Sequence, residues 1–410
     1  MTALSPTDQR RAYLAIFAGV AISTTGFLAS NTVNGLVAED LTGSTTWSGL
    51  PAAATVLGTA AGASALAAVV RRRGPRAGLA LGYVLATVAI TMAAYAIFIR
   101  AFPLFVVALF LFGVGFGSNR LARYAAAELY PVEQRASVIG WIVWASTIGA
   151  VAGPVLLAPS RELAEQFHLN GLVGPYLVCI AACVLSVGAM WSAPLTMDAR
   201  IPTGARATDG PSLSTLMRHP GVVLALASMV SGQFVMVLLM TMTPLHIRHE
   251  GHGLGAIGLV ISAHTLGMFA LSPITGRIAD RFGRVPVLVM GVALLVLACA
   301  VGVAASAGSY TLMVTALFLL GVGWNLGFVG GSALITDSVA SSDRVRVQGM
   351  GDTLIWGCGA VASIGSGWLL AHAGFAVLSI AGAAISLVPV WPLLRYLGQS
   401  HPNAPAVTRP

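Results

Sequence analysis

The chain reads as an all-α membrane protein of twelve transmembrane helices in two pseudo-symmetric six-helix bundles. Three observations carry that reading. Of its 410 residues, 57% are hydrophobic and 9% are charged, against roughly 25% charged in a soluble domain. The apolar residues fall in runs that reach the ~20 residues a helix needs to cross a bilayer, and none alternates as a barrel strand would. The charges sit in short gaps between the runs, and all 22 basic residues are arginine.

The first run, 12–38, follows a polar start, Met1–Arg11, and is too long for the apolar core of a cleavable signal peptide. The next five are 48–70, 77–99, 102–126, 137–159 and 172–194. Arg71, Arg72, Arg73 and Arg76 separate the second from the third, Arg100 the third from the fourth, Arg135 the fourth from the fifth, and Arg161 the fifth from the sixth. Leu195–Pro220 is the longest polar interval. It holds Pro202, Pro211, Pro220, Gly204 and Gly210 and reads as a cytoplasmic linker, with Ser212–Arg218 as a short surface helix. Six more runs follow: 221–246, 255–275, 286–307, 309–333, 347–371 and 374–395. The expected organisation is therefore an N-terminal half, 1–194, a linker, 195–220, and a C-terminal half, 221–410.

With the N-terminus inside, only Arg100, Arg161 and Arg248 of the 22 arginines fall on the outer side. That asymmetry places both termini in the cytoplasm. The net charge of +8 is thus a topology signal, spread over loops and not gathered into a face for nucleic acid. Cys179, Cys183, Cys299 and Cys358 lie inside apolar runs, without metal spacing, and read as small core residues.

Two matches suggest duplication. Leu111-Phe112-Gly113-Val114-Gly115 aligns with Leu319-Leu320-Gly321-Val322-Gly323 at an offset of 208, and Arg71–Pro75 aligns with Asp280–Arg284 at 209. The second copy lies in Gly276-Arg277-Ile278-Ala279-Asp280-Arg281-Phe282-Gly283-Arg284, which reads as a tight cytoplasmic turn between spans eight and nine. Its spacing, G-x-x-x-D-R-x-G-R, resembles the loop signature of the major facilitator superfamily of secondary transporters. The resemblance implies two halves rocking around a central site. It also implies a gating role for Gly276, Asp280, Arg281, Gly283 and Arg284, with Asp280 capping the start of span five in one state. Arg71, where an acid would stand in the first copy, cannot do the same for span eleven.

Span five carries Gly140, Gly149, Gly153 and Pro154. Their spacing resembles the signature of proton-coupled antiporters in the superfamily, although small residues also let membrane helices pack closely. Leu157 and Ala158 replace the final glycine pair, and Leu109 stands where relatives carry a buried arginine in span four. Arg120 and Arg123 sit ~25–30 Å along that span and read as snorkelling to the headgroups. His264 and Asp352 are ionisable groups inside spans and so are candidates for proton coupling. His264 is equally compatible with a hydrogen bond to a neighbouring helix, and Asp352 with a helix cap or a pair with Arg120 or Arg123. Glu128, at the inner end of span four, reads as interfacial. Asn31, Asn34, Gln233, Asn325, Trp144 and Trp356 are candidates for the substrate cavity, interhelical hydrogen bonding being the plain alternative. Met236, Met240 and Met242 read as an adaptable apolar surface or as core filler. His246, His249 and His252, beside Glu250, are weak candidates for a metal; a solvated outer loop is the simpler reading, since Gly251 and Gly253 break helical ligand geometry.

The sequence thus points to a multi-pass transporter of a bacterial-type inner (plasma) membrane, expected to act as a monomer without a cofactor. The expected activity is export of a small, partly apolar molecule against inward proton flow. Alternatives are import of a small metabolite, transport of a metal ion or chelate through the outer histidines, and a non-transporting receptor. No G-x-x-x-x-G-K-[ST] motif cradles a nucleotide and no nucleophile constellation suggests an enzyme.

Overall fold

The computed structural model describes residues 5–194, 212–340 and 343–399. Most of the expected linker, 195–211, lies outside them, as do Arg200, Arg206 and Arg409 of the orientation count. The described chain forms fifteen α-helices: α1 (Pro6–Thr42), α2 (Leu50–Arg73), α3 (Pro75–Phe98), α4 (Phe102–Ala127), α5 (Val132–Val155), α6 (Leu157–Gln166), α7 (Gly174–Ser192), α8 (Leu213–Met217), α9 (Pro220–His249), α10 (Leu254–Phe269), α11 (Ser272–Phe282), α12 (Arg284–Ala305), α13 (Tyr310–Ser338), α14 (Arg344–Ser386) and α15 (Val390–Gln399). Ser5 starts α1, its hydroxyl accepting from the Asp8 N–H at 3.1 Å. Ser212 starts the expected short helix α8 in the same way, accepting from the Thr215 N–H at 3.2 Å.

Ten described stretches are long and apolar enough to span a membrane. To these α5 adds an eleventh of 24 residues. The twelfth comes from the 52-residue stretch Val347–Gly398, which is a hairpin. Its bend is Gly374, at φ 77° and ψ 175°. Before the bend, Cys358 Sγ reaches the Val230 carbonyl at 3.4 Å and Gly359 lies against Gln233. Just past it, Phe375 stacks on His246 at 4.5 Å, and further on Gly382 meets Leu239 and Val235. The chain climbs α9 and then descends it.

In the first half α1 packs on α5 and α7, and α4 on α2 and α3; in the second α9 packs on α14, and α13 on α12, α10 and α9. The start of α1 lies beside the end of α4, where Gln9 Nε2 donates to the Leu129 carbonyl. Leu393 and Tyr396 of α15 pack near Val222 and Leu224 at the start of α9. Both described chain ends therefore lie on one face, the terminal face; the opposite one is the distal face.

The duplication is visible in the backbone. Gly74 (φ 95°, ψ 164°) and Gly283 (φ 93°, ψ 165°) adopt one conformation 209 residues apart, in a region essentially reserved for glycine. Each N–H bonds the carbonyl four residues back, Val70 and Ala279. Gly113 presses on the Thr55 carbonyl of α2, and its counterpart Gly321 on the His264 carbonyl of α10.

Two expectations are corrected. Gly276–Arg284 is not a loop: α11 stays helical to Phe282, and the reversal is confined to Gly283. Span five ends at Val155 and not at 159: helix α5 runs through Pro154, and the chain restarts as α6, where Pro159 has no N–H to give the Val155 carbonyl four residues back.

Gly283→Ala should therefore cost ~1–3 kcal/mol, the usual range for forcing a side chain into such a region. Gly276 has no atom within 4 Å of a Cβ built on it, so Gly276→Ala should fold like the parent. Thermal unfolding of the detergent-purified variants checks the contrast.

Candidate functional site

The two halves meet differently on the two faces. On the distal side backbones touch. A Cβ on Gly49, before α2, would overlap the Ser363 carbonyl of α14, and one on Gly258 of α10 would crowd the Pro154 carbonyl of α5. The Ser363 hydroxyl donates to the Gly49 carbonyl at 2.8 Å. Gly35 of α1 lies against Leu245 of α9, and His249 Nε2 sits 2.7 Å from Glu39 Oε1 across the same seam.

On the terminal side α4 and α14 meet through long side chains. Arg123 approaches Asp352 at 4.0 Å, and the Arg120 guanidinium lies 4.2 Å above the Trp356 ring. An ion pair this long and half-exposed is worth ~0–1 kcal/mol, and an exposed cation–π contact ~0.5–1 kcal/mol.

Between the closures, aromatic side chains gather midway along the helices. Phe27 of α1 stacks on Phe116 of α4, ring centroids 4.1 Å apart and 11° from parallel. In the other half Trp324 stacks on Phe328 of α13 at 4.7 Å, with Phe269 of α10 edge-on at 6.0 Å. The indole N–H of Trp324 donates to Gln233 Oε1 of α9 at 2.8 Å. Phe116 and Trp324 are counterparts at the repeat offset of 208, and so are Arg120 and Phe328. On α4 the α2 and α3 contacts run through Gly113 and Gly115. On another stripe Arg120 and Arg123 reach Trp356 and Asp352 of α14, and Phe116, one turn before Arg120, lies against Phe27 of α1.

The predicted residues divide. Asp352 and Trp356 fall on one stripe of α14 with Ser363, the stripe that meets the first half. Arg120 and Arg123 do not snorkel to headgroups, because the Trp356 ring and the Asp352 carboxylate take them across the seam. Asn31 shares a face of α1 with Phe27, and its side chain accepts from Asn34 Nδ2 at 3.2 Å.

Four cavity candidates have other employment. Asn34 is turned inside the first half, accepting from the Tyr176 hydroxyl at 2.7 Å. Gln233 is buried and holds the Trp324 indole. Asn325 repairs a broken helix: Pro273 interrupts span eight between α10 and α11, and Asn325 Nδ2 donates to the Met268 carbonyl at 2.6 Å and to Ser272 Oγ at 2.7 Å. Trp144 is 52% exposed on a stripe with Trp141, Ile148 and Val155. That stripe points away from the sides of α5 that touch α1 and α10, so it faces lipid.

His264 is fully buried, its Nδ1–H donating to the Leu317 carbonyl at 2.8 Å while Nε2 has no hydrogen-bond partner among the described residues. Gly149 and Gly153 press on α1 at Ala21 and Thr25, and Gly140 lies in α5. Asp280 bonds Arg284 at 2.6 Å, and Arg284 reaches Asp337 at 3.0 Å, tying the ends of α11, α12 and α13; Arg281 lies 5.4 Å from the Phe282 ring. His246, His249 and His252 turn to Phe375, Glu39 and Tyr310, and no group of three possible ligands gathers among the described residues. Met236 and Met242 are buried core.

Sequence reasoning missed Asn119, whose Oδ1 accepts from Ser23 at 2.9 Å and Tyr83 at 2.8 Å and whose Nδ2 donates to Thr24 at 3.2 Å. A lone amide in the apolar run of α4 was the available signal. Trp324 was missed beside Asn325 for want of a helical face to place it on.

Paired six-helix bundles of this kind are the architecture of secondary transporters. A sequence model of the Major Facilitator Superfamily matches residues 15–257 and 224–409, and the chain belongs to that family. It is 34% identical to the uncharacterized MFS-type transporter YddS of Bacillus subtilis (strain 168) over 98% of this chain and 95% of that one. It is 28% identical to the riboflavin transporter RfnT of Brucella anthropi, over 85% and 86%. The crystal structure of a D-xylose-proton symporter superposes with a TM-score of 0.72 at 16% identity, over 96% and 97% of the two chains.

Asn119→Ala would strip the Ser23 and Tyr83 hydroxyls of a shared acceptor. A buried polar group left unsatisfied costs ~1–3 kcal/mol, so the variant should unfold at a clearly lower temperature than the parent in the same detergent.

Proposed function

We propose that this chain is a proton-coupled secondary transporter that takes up a small, partly aromatic organic molecule by alternating access. The observation that carries the reading is the pair of aromatic faces, Phe27–Phe116 and Trp324–Phe328, set at mid-depth on opposite halves. Planar rings favour stacking on such faces. The name of RfnT, a riboflavin transporter, supports a ring-bearing cargo.

With the terminal face in the cytoplasm, as the arginine asymmetry argues, the backbone contacts of the distal seam close this conformation on the outside. Asp352 is the coupling group we favour, because it lies on the seam beside Arg120 and Arg123. His264 is sealed between α10 and α13, which suits a packing role. Asp280 would leave Arg284 for the start of α5 in the outward-open form.

The second reading is export in exchange for protons, favoured by the spacing of Gly140, Gly149, Gly153 and Pro154. Gly149 and Gly153 are already engaged in packing on α1, which weakens that motif as a sign of direction.

Reconstituted vesicles separate the two. Right-side-out vesicles with an acidic exterior should accumulate riboflavin as the probe, a protonophore should abolish accumulation, and Asp352→Asn should keep counterflow exchange while losing gradient-driven uptake. Accumulation only in inside-out vesicles with an acidic lumen would establish export instead. Independently, a disulfide between E39C and H249C should lock the distal seam and stop flux until reductant restores it.

A further inference from the structure

We propose that the side-chain nitrogen of Gln233 on α9 donates to an in-plane acceptor of the transported molecule, a carbonyl oxygen or a ring nitrogen, so that the cargo is a planar ring carrying such an acceptor and not one whose edge is all C–H. The proposal rests on the aromatic reading of the central site and adds to it the polar group by which one ring is told from another.

Hydrogen-bond accounting is the first support. An indole N–H can only donate, and that of Trp324 lies 2.8 Å from Gln233 Oε1. The orientation of the Gln233 amide is therefore fixed: its oxygen faces Trp324 and the N–H groups of Nε2 point away. Gln233 is 1% exposed, and among the described residues its Nε2 has no hydrogen-bond partner. That nitrogen keeps contact with open space, unlike the sealed Nε2 of His264. Buried amide donors are paired as a rule; here half of the amide is engaged and half is not.

Position is the second support. The indole N–H leaves Trp324 in the plane of its ring, so the Gln233 amide lies at the edge of the Trp324–Phe328 face. A ring lying against that face carries its own in-plane substituents to the same edge. Phe269 and Phe328 meet Trp324 with apolar rings, and the Cys358 thiol is turned to the Val230 and Ile355 carbonyls. Gly359 of α14 stands beside the amide: a Cβ built there would lie 3.5 Å from Nε2 and 3.5 Å from Val237. Having no side chain, it leaves the nitrogen uncovered. A cargo acceptor completes the amide, whereas a hydrocarbon edge strips water from it and leaves a buried donor unmatched, the arrangement by which polar sites discriminate most strongly.

The test uses matched pairs that share a ring and differ in the acceptor: 1-acetonaphthone against 1-isopropenylnaphthalene, and 9-fluorenone against fluorene. Binding to the purified full chain in nanodiscs is measured by equilibrium dialysis, with empty nanodiscs subtracted, for the parent, Q233L, G359A and G359S. The parent should bind the ketone of at least one pair about tenfold more tightly than its hydrocarbon partner, the scale of one neutral hydrogen bond. Q233L should erase that preference. G359A should keep it, since a Cβ at this position makes only ordinary contacts. G359S sets a hydroxyl oxygen beside Nε2 and should erase the preference while leaving hydrocarbon affinity at the parent's level, a result that a damaged fold would not produce. Equal affinity for both members of each pair in the parent, or a preference that survives either Q233L or G359S, overturns the acceptor assignment and leaves the aromatic site standing. Binding of no ring compound overturns both.

Discussion

Hydrocarbon offers a peptide group no hydrogen bond, and the rest of this structure follows from that constraint. Each span must close its own backbone ledger as a helix, and any break must be met from a neighbour. The clearest instance is span eight. Pro273 cannot donate, α10 stops at Phe269, α11 starts at Ser272, and the amide of Asn325 on the next span reaches the stranded carbonyl of Met268. Polar residues inside this bilayer-sized bundle are there for such duties as often as for a ligand. Asn119, gathering Ser23, Thr24 and Tyr83 into one knot among α1, α3 and α4, is another case.

Duplication then supplies the scaffold, and departures from it supply chemistry. Gly113 and Gly321 set equivalent helices at equivalent distances, and Gly74 and Gly283 turn the chain identically. Against that background unlike pairs stand out: Phe116 with Trp324 conserves a flat face, whereas Arg120 with Phe328 exchanges a charge for a ring. Asp352 and Trp356 make the seam between α4 and α14 unlike the seam between α5 and α10, where Ser262 and Val151 meet at 3.5 Å.

The architecture was readable because bilayer thickness is a length and apolar runs are lengths. Twelve runs, their arginine-bearing gaps and the offset of about 208 needed no three-dimensional information. Faces were not readable. In an alternating strand a polar residue announces its side, but in a helix apolar all round it does not, so residue type alone points Asn34, Asn325 and Trp144 to the cavity, whereas they serve Tyr176, a helix break and the lipid. Arg120 and Arg123 failed for a related reason. Counting residues along α4 gives depth, and depth alone cannot reveal that Trp356 and Asp352, more than two hundred positions later, wait across the seam. The charged stretch after span eight misled through composition: Arg277, Asp280 and Arg281 look like a loop, yet nothing among them breaks a helix before Gly283.

The unequal seams have a mechanical corollary. Where backbones interlock, as Gly49 does with Ser363, partial separation gains nothing, and that side behaves as a valve with two positions. Where Arg120 and Arg123 cross from α4 to Trp356 and Asp352 of α14, the contact is made by side chains, which can change rotamer one at a time. The two contacts therefore part in different ways, the backbone one all at once and the side-chain one residue by residue.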